Sequence, residues 1–133
     1  MIFTANQILA HLFGDYVIQS DWMAQEKTKH SLPAFIHALT YGSCFLFITH
    51  SVWAISLIVF SHFLIDRFRL ARYVLWLKNQ VAPKRFRYEL SEGLESGTGY
   101  KNDSLAWLAV WLMIIGDNSI HILINALAVY YLS

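Results

Sequence analysis

The chain has 133 residues, of which 56% are hydrophobic, 16% aromatic and only 14% charged, with a net charge of +1. An average soluble domain has about a quarter of its residues charged, and a short chain needs more polar surface than a long one because less of it can be buried. A water-soluble monomer, a disordered chain and a nucleic-acid binder all fit these proportions poorly, and the single cysteine, Cys44, excludes an internal disulfide or a thiolate zinc site.

The expected fold class is all-α, a small polytopic membrane bundle of about four transmembrane helices that forms one domain over residues 1–133. Residues 2–16 carry only Asp15 as a charge and predict a helix over about 2–19. That segment has no positive n-region and no small-residue cleavage site, so it is expected to be retained and not removed as a signal peptide. Residues 19–32 are polar, with Asp21, Glu26, Lys27, Lys29 and His30. Residues 33–65 contain no Lys, Arg, Asp or Glu. That run is too long for one span of about 20 residues, and its most polar point, Thr49-His50-Ser51, divides it into helices over about 34–49 and 52–75. Residues 78–103 form a basic loop that opens as an amphipathic surface helix continuing the third span, with residues 91–103 read as flexible from Gly93, Gly97 and Gly99. Residues 105–133 hold only Asp117 as a charge and predict a helix over about 105–131, with a break at Gly116 as an alternative. Period-2 alternation is absent, and backbone groups in lipid must pair internally, so helices are the remaining solution.

The basic residues fix an orientation. Lys27 and Lys29 lie between the first two helices and the other eight at the end of the third helix or between it and the fourth, so with both termini outside all ten fall on the cytoplasmic side. The expected location is the cytoplasmic (inner) membrane, multi-pass, with the lipid bilayer as principal partner. Trp22, Trp53, Trp76, Tyr130 and Tyr131 read as interfacial anchors.

Three aspartates interrupt the apolar segments, and each stands four residues from a histidine: His11 and Asp15, His62 and Asp66, Asp117 and His121. Such residues share one helix face, with β-carbons roughly 6 Å apart. Once helix direction is allowed for, every pair has its histidine toward the outside, which predicts a tier of imidazoles above a tier of carboxylates. His37 and Tyr41 stand one turn apart on the second helix. Intramembrane ionisable groups are costly and usually have a task. One His–Asp pair inside a bundle is more often a hydrogen-bonded packing pair, but three are more than packing requires. Imidazole and carboxylate without thiolate suit zinc or manganese. The expected ligands are His11, His62 and His121, with His37 as a fourth, and Asp15, Asp66 and Asp117 as ligands or as bases for an attacking water. His30 and His50 are read as solvated, and Cys44 as packing.

His11-Leu12-Phe13-Gly14-Asp15 followed by Gln19-Ser20-Asp21-Trp22-Met23 resembles the opening of bacterial and phage membrane proteins grouped as domain-of-unknown-function family 3307. His37, Ser61-His62-Phe63-Leu64-Ile65-Asp66 and Asp117-Asn118-Ser119-Ile120-His121 resemble its later blocks, with Asn118 where Gln is expected. The pattern is also similar, more loosely, to small inner-membrane metal-dependent hydrolases.

The leading expectation is a metal-dependent hydrolase acting on a lipid-linked or amphiphilic substrate, such as a phosphoester, reached from the cytoplasmic side. Arg67 and Arg69 could hold a phosphate there, beside an anchoring role. The alternatives are an ion or proton pathway, which would need a homo-oligomer, and a non-enzymatic accessory protein whose basic loop meets a cytosolic partner.

Overall fold

The computed structural model describes residues 1–133, which form helices and turns with no strand. Packing divides the chain into two compact units, residues 1–68 with 121–133 and residues 69–120.

The first unit begins with α1 (Ala5–Leu12), opened by a reciprocal cap. The Thr4 hydroxyl accepts from the Gln7 N–H at 3.3 Å, and the Gln7 side chain accepts from the Thr4 N–H at 3.0 Å. The helix then widens into one π-helical turn, Phe13–Val17. Turns of this kind concentrate at functional sites. Ser20 caps α2 (Asp21–Glu26), accepting from the Met23 N–H. In α3 (Ser31–Ser43), Pro33 falls within the first turn, where a missing N–H costs nothing. That helix buries Ala34, His37, Ala38 and Tyr41, one stripe at helical spacing, and tightens into a 3₁₀ turn, Cys44–Phe47. The chain reverses at Thr49–Ser51, where the sequence predicted the break, and re-enters as α4 (Val52–Phe68). α4 buries Ala54, Ile58, His62, Ile65 and Asp66. Its most extensive neighbour is α3. The last helix, α7 (Ala106–Leu132), gives its end to this unit and buries His121, Asn125, Ala126 and Ala128 there. Tyr41, Phe45, Ile58 and Ala128 form the apolar core.

The second unit starts at Arg69, whose left-handed φ of 53° breaks the helix expected over 52–75. It continues through α5 (Ala71–Asn79), a 3₁₀ turn at Lys84–Phe86 and α6 (Leu90–Glu95) to the first part of α7. Residues 91–103, expected to be flexible, carry α6 and a hydrogen-bonded turn built around Tyr88. The Tyr88 hydroxyl donates to the Gly99 carbonyl at 2.6 Å and accepts from Asn79, while its own carbonyl accepts from Trp76 Nε1 at 3.1 Å. Gly99 has φ 80° and backbone of Arg72 against its α-carbon, so no side chain fits there. α7 stays unbroken at Gly116, where an added β-carbon would stand 2.8 Å from Leu75 Cδ2.

Of the four spans expected, one helix, α7, is long and apolar enough to cross a membrane. Regular α-helix is interrupted at the π-helical turn Phe13–Val17, at the 3₁₀ turn Cys44–Phe47 and at Arg69, and hydrophobic composition does not register those interruptions. The first unit nonetheless turns apolar groups outward and polar groups inward: Phe47 and Trp53 are 95% and 77% exposed, while His11, His37, His62 and His121 are buried.

Candidate metal centre

Four elements of the first unit bring polar side chains to one buried point. α1 supplies His11, and the π-helical turn supplies Asp15. Gly14 lets that turn approach α3, because a β-carbon there would lie 2.6 Å from Tyr41 Cδ2. α3 contributes His37 and Tyr41, α4 His62 and Asp66, and α7 His121 and Asn125.

Asp15, His37, His62 and Asp66, all buried, are placed so that together they could hold a metal ion. His37 Nε2 is 3.0 Å from His62 Nε2, 3.1 Å from Asp15 Oδ1 and 3.2 Å from Asp66 Oδ2. His62 Nε2 is 3.3 Å from Asp15 Oδ1 and 3.2 Å from Asp66 Oδ2. A tetrahedral ion with bonds of about 2.0–2.1 Å holds its ligand atoms about 3.3–3.4 Å apart. An octahedral ion with similar bonds holds neighbouring ligands about 2.9–3.0 Å apart. The five distances fall between these two values. A proton shared within the cluster serves one pair of lone pairs, whereas a cation at the centre serves all four atoms at once.

The groups behind these atoms orient them. With His62 Nε2 turned to the centre, its Nδ1 carries the proton and donates to His121 Nδ1 at 3.1 Å. His121 Nε2 in turn stands 3.3 Å from Asp66 Oδ1. The Tyr41 ring stacks on His62, with centroids 3.7 Å apart and planes 15° from parallel. The Tyr41 hydroxyl accepts from Asn125 Nδ2, so its one proton is free for His11 Nδ1, 2.8 Å away. His11 Nδ1 also stands 3.4 Å from Asp15 Oδ2.

One cation of the chain reaches the cluster. Lys27 Nζ lies 2.6 Å from Asp66 Oδ2 and 3.2 Å from His37 Nε2. Arg67 fixes the turn that carries Lys27, donating to the Thr28 carbonyl at 2.9 Å and to Ser31 Oγ at 3.3 Å.

The sequence-based expectation differs from this arrangement in two respects. His37, read as a fourth ligand, stands at the centre, while His11 and His121, read as principal ligands, contact the residues around it. The expected two tiers are one level, because the Nε2 atoms of His37 and His62 meet both carboxylates directly. Asp117 is half-buried one turn before His121 on α7 and belongs to the second unit. Lys27 was not foreseen as part of the site, and Tyr41 was noted without a role. His30 and His50 are exposed, as read.

Residues 2–90 match a family described as protein of unknown function (DUF3307). The chain belongs to this family. Neither a curated protein nor a solved structure matches it. The DUF3307 match includes His11, Asp15, Lys27, His37, Tyr41, His62 and Asp66 and ends before His121 and Asn125. The four central side chains therefore all come from the family's own stretch.

Proposed function

We propose that this DUF3307 chain is a divalent-metal-dependent hydrolase of the cytoplasmic membrane, acting on a lipid-linked or amphiphilic substrate that carries a phosphoester. The observation that carries the proposal is the set of five nitrogen–nitrogen and nitrogen–oxygen distances of 3.0–3.3 Å among Asp15, His37, His62 and Asp66. A donor set of nitrogen and oxygen without sulfur favours zinc or manganese. Such an ion supplies a water acidified toward neutral pH and polarises a phosphoryl oxygen. The chain's own part is to hold the ion with these four side chains, to fix the His62 ring through Tyr41 and His121, and to present Lys27 and Arg67 as positive charge for an anionic group.

The membrane setting draws on the same unit. Leu9, Phe13, Phe47, Trp53 and Phe60 are exposed around a polar interior, an arrangement that suits lipid better than water. An apolar groove lined by Leu9, Ala10, Phe13, Ile18, Phe47 and Ile48 begins one residue from His11 and suits an acyl chain.

The test is elemental analysis of protein purified in detergent without chelator, followed by release of phosphate from a phosphoester lipid in mixed micelles. The expected result is one zinc or manganese per chain, lost in His62→Ala and Asp66→Ala, with phosphate release abolished by both substitutions and by chelation. Absence of stoichiometric metal overturns the proposal. A proton pathway is the second reading, favoured by the run of hydrogen bonds from Asn125 through Tyr41 to His11 and from His121 to His62. It predicts proton flux in liposomes that His62→Ala removes, without phosphate release.

A further inference from the structure

We infer that Lys27 is a resident cation of the centre, which a divalent ion must displace in order to bind. The inference rests on the metal-site reading and concerns how that site is loaded.

An ammonium group only donates hydrogen bonds. The Lys27 Nζ that faces His37 Nε2 at 3.2 Å competes for that nitrogen's lone pair whenever the nitrogen is unprotonated, which is the form a metal ion needs. An imidazole nitrogen has one lone pair in the ring plane. It can point at Nζ or at a metal ion, but not at both. At Asp66 the same ammonium lies 2.6 Å from Oδ2, another of the four converging atoms. Lys27 thus engages two of the four ligands.

Charge gives this arrangement a purpose. Asp15 and Asp66 bring two carboxylates into a buried cluster, and an unpaired buried charge is strongly destabilising. Lys27 compensates part of that charge when no ion is present, and a divalent ion compensates all of it. The exchange has a route. The Lys27 side chain is 17% exposed, against 10% or less for those of Asp15, His37, His62 and Asp66, so the ammonium can swing toward solvent while the ligands stay in place. Its starting position is set by Arg67, which ties the carbonyl of the next residue, Thr28, to α4. Lys29 on the same turn pairs with Glu26 at 2.9 Å and takes no part.

The experiment is calorimetric titration of the full chain in detergent with zinc chloride and, separately, manganese chloride, for the wild type, Lys27→Leu, Arg67→Ala and the double variant. Leucine keeps an apolar stem, shorter than that of lysine, and has no donor atom. The expected result is at least tenfold tighter binding by Lys27→Leu and a smaller gain for Arg67→Ala, whose loosened turn holds the ammonium less firmly. Arg67→Ala should add nothing in the Lys27→Leu background. Thermal melting gives an independent readout: metal-free Lys27→Leu melts below the wild type, and saturating ion closes the gap. Wild-type binding with Lys27→Leu equal to it within twofold, or weaker, overturns the inference and leaves the metal site standing. Failure of every variant to bind either ion overturns the metal site as well. Should Lys27→Leu not fold, Arg67→Ala decides the matter, and unchanged or weakened affinity there counts against displacement.

Discussion

Tyr41 touches one polar group at the centre and two beside it, and shows how much depends on single atoms. Its ring stacks on His62, and its hydroxyl joins Asn125 to His11. Tyr41→Phe keeps the stacking and removes the bridge, leaving buried polar atoms on both partners, at a cost of about 1–3 kcal/mol. Chemical denaturation in mixed micelles should show that loss, while metal stoichiometry stays unchanged. Acid should act on the ligands themselves. A metal-bound imidazole nitrogen must be unprotonated, so ion binding releases protons and affinity falls as pH drops. Calorimetry in buffers of different ionisation enthalpy checks both the proton release and its sign. The His–Asp pairs were legible in the sequence because four-residue spacing places two side chains on one helix face. The depth of each side chain was not legible, so spacing could not rank His37 above His11 and His121. Lys27 was invisible for a different reason: it reaches Asp66 across 39 positions of sequence from a non-helical turn.

At the level of elements, the π-helical turn and the breaks between helices do most to place the site. Gly14→Ala would push a methyl group into the Tyr41 ring. It should destabilise the fold by about 1–3 kcal/mol, as overpacking does, and it should lower ion affinity too, because Asp15 rides on the same turn. A parallel melt and titration separates this outcome from Thr4→Ala, which loses only the α1 cap, worth about 1 kcal/mol, and should leave affinity unchanged. The reversal at Thr49–Ser51 could be read from sequence because polar residues cluster there. The interruption at Arg69 could not, since its cause is a single backbone angle amid helix-compatible side chains. The turn around Tyr88 was hidden for a similar reason: Gly99, which suggests freedom in the sequence, is the residue that lets backbone pack closely against Arg72.

For the molecule as a whole, the distribution of polarity carries the argument. Buried histidines and carboxylates beneath exposed Phe, Trp and Leu predict that the chain sediments with membranes, resists alkaline extraction and enters solution only with detergent. Recovery in the aqueous phase would count against the membrane setting. Composition already signalled this partition of polarity, whereas helix lengths, which depend on backbone breaks, gave only α7 as a full-length span. The groove beside α1 offers a way to follow occupancy before any substrate is known. Cys44, the sole sulfhydryl of the chain, borders that groove. Alkylating reagents of graded bulk would compete there with whatever lipid settles in it, so the rate of thiol modification becomes a gauge of occupancy, read one atom at a time.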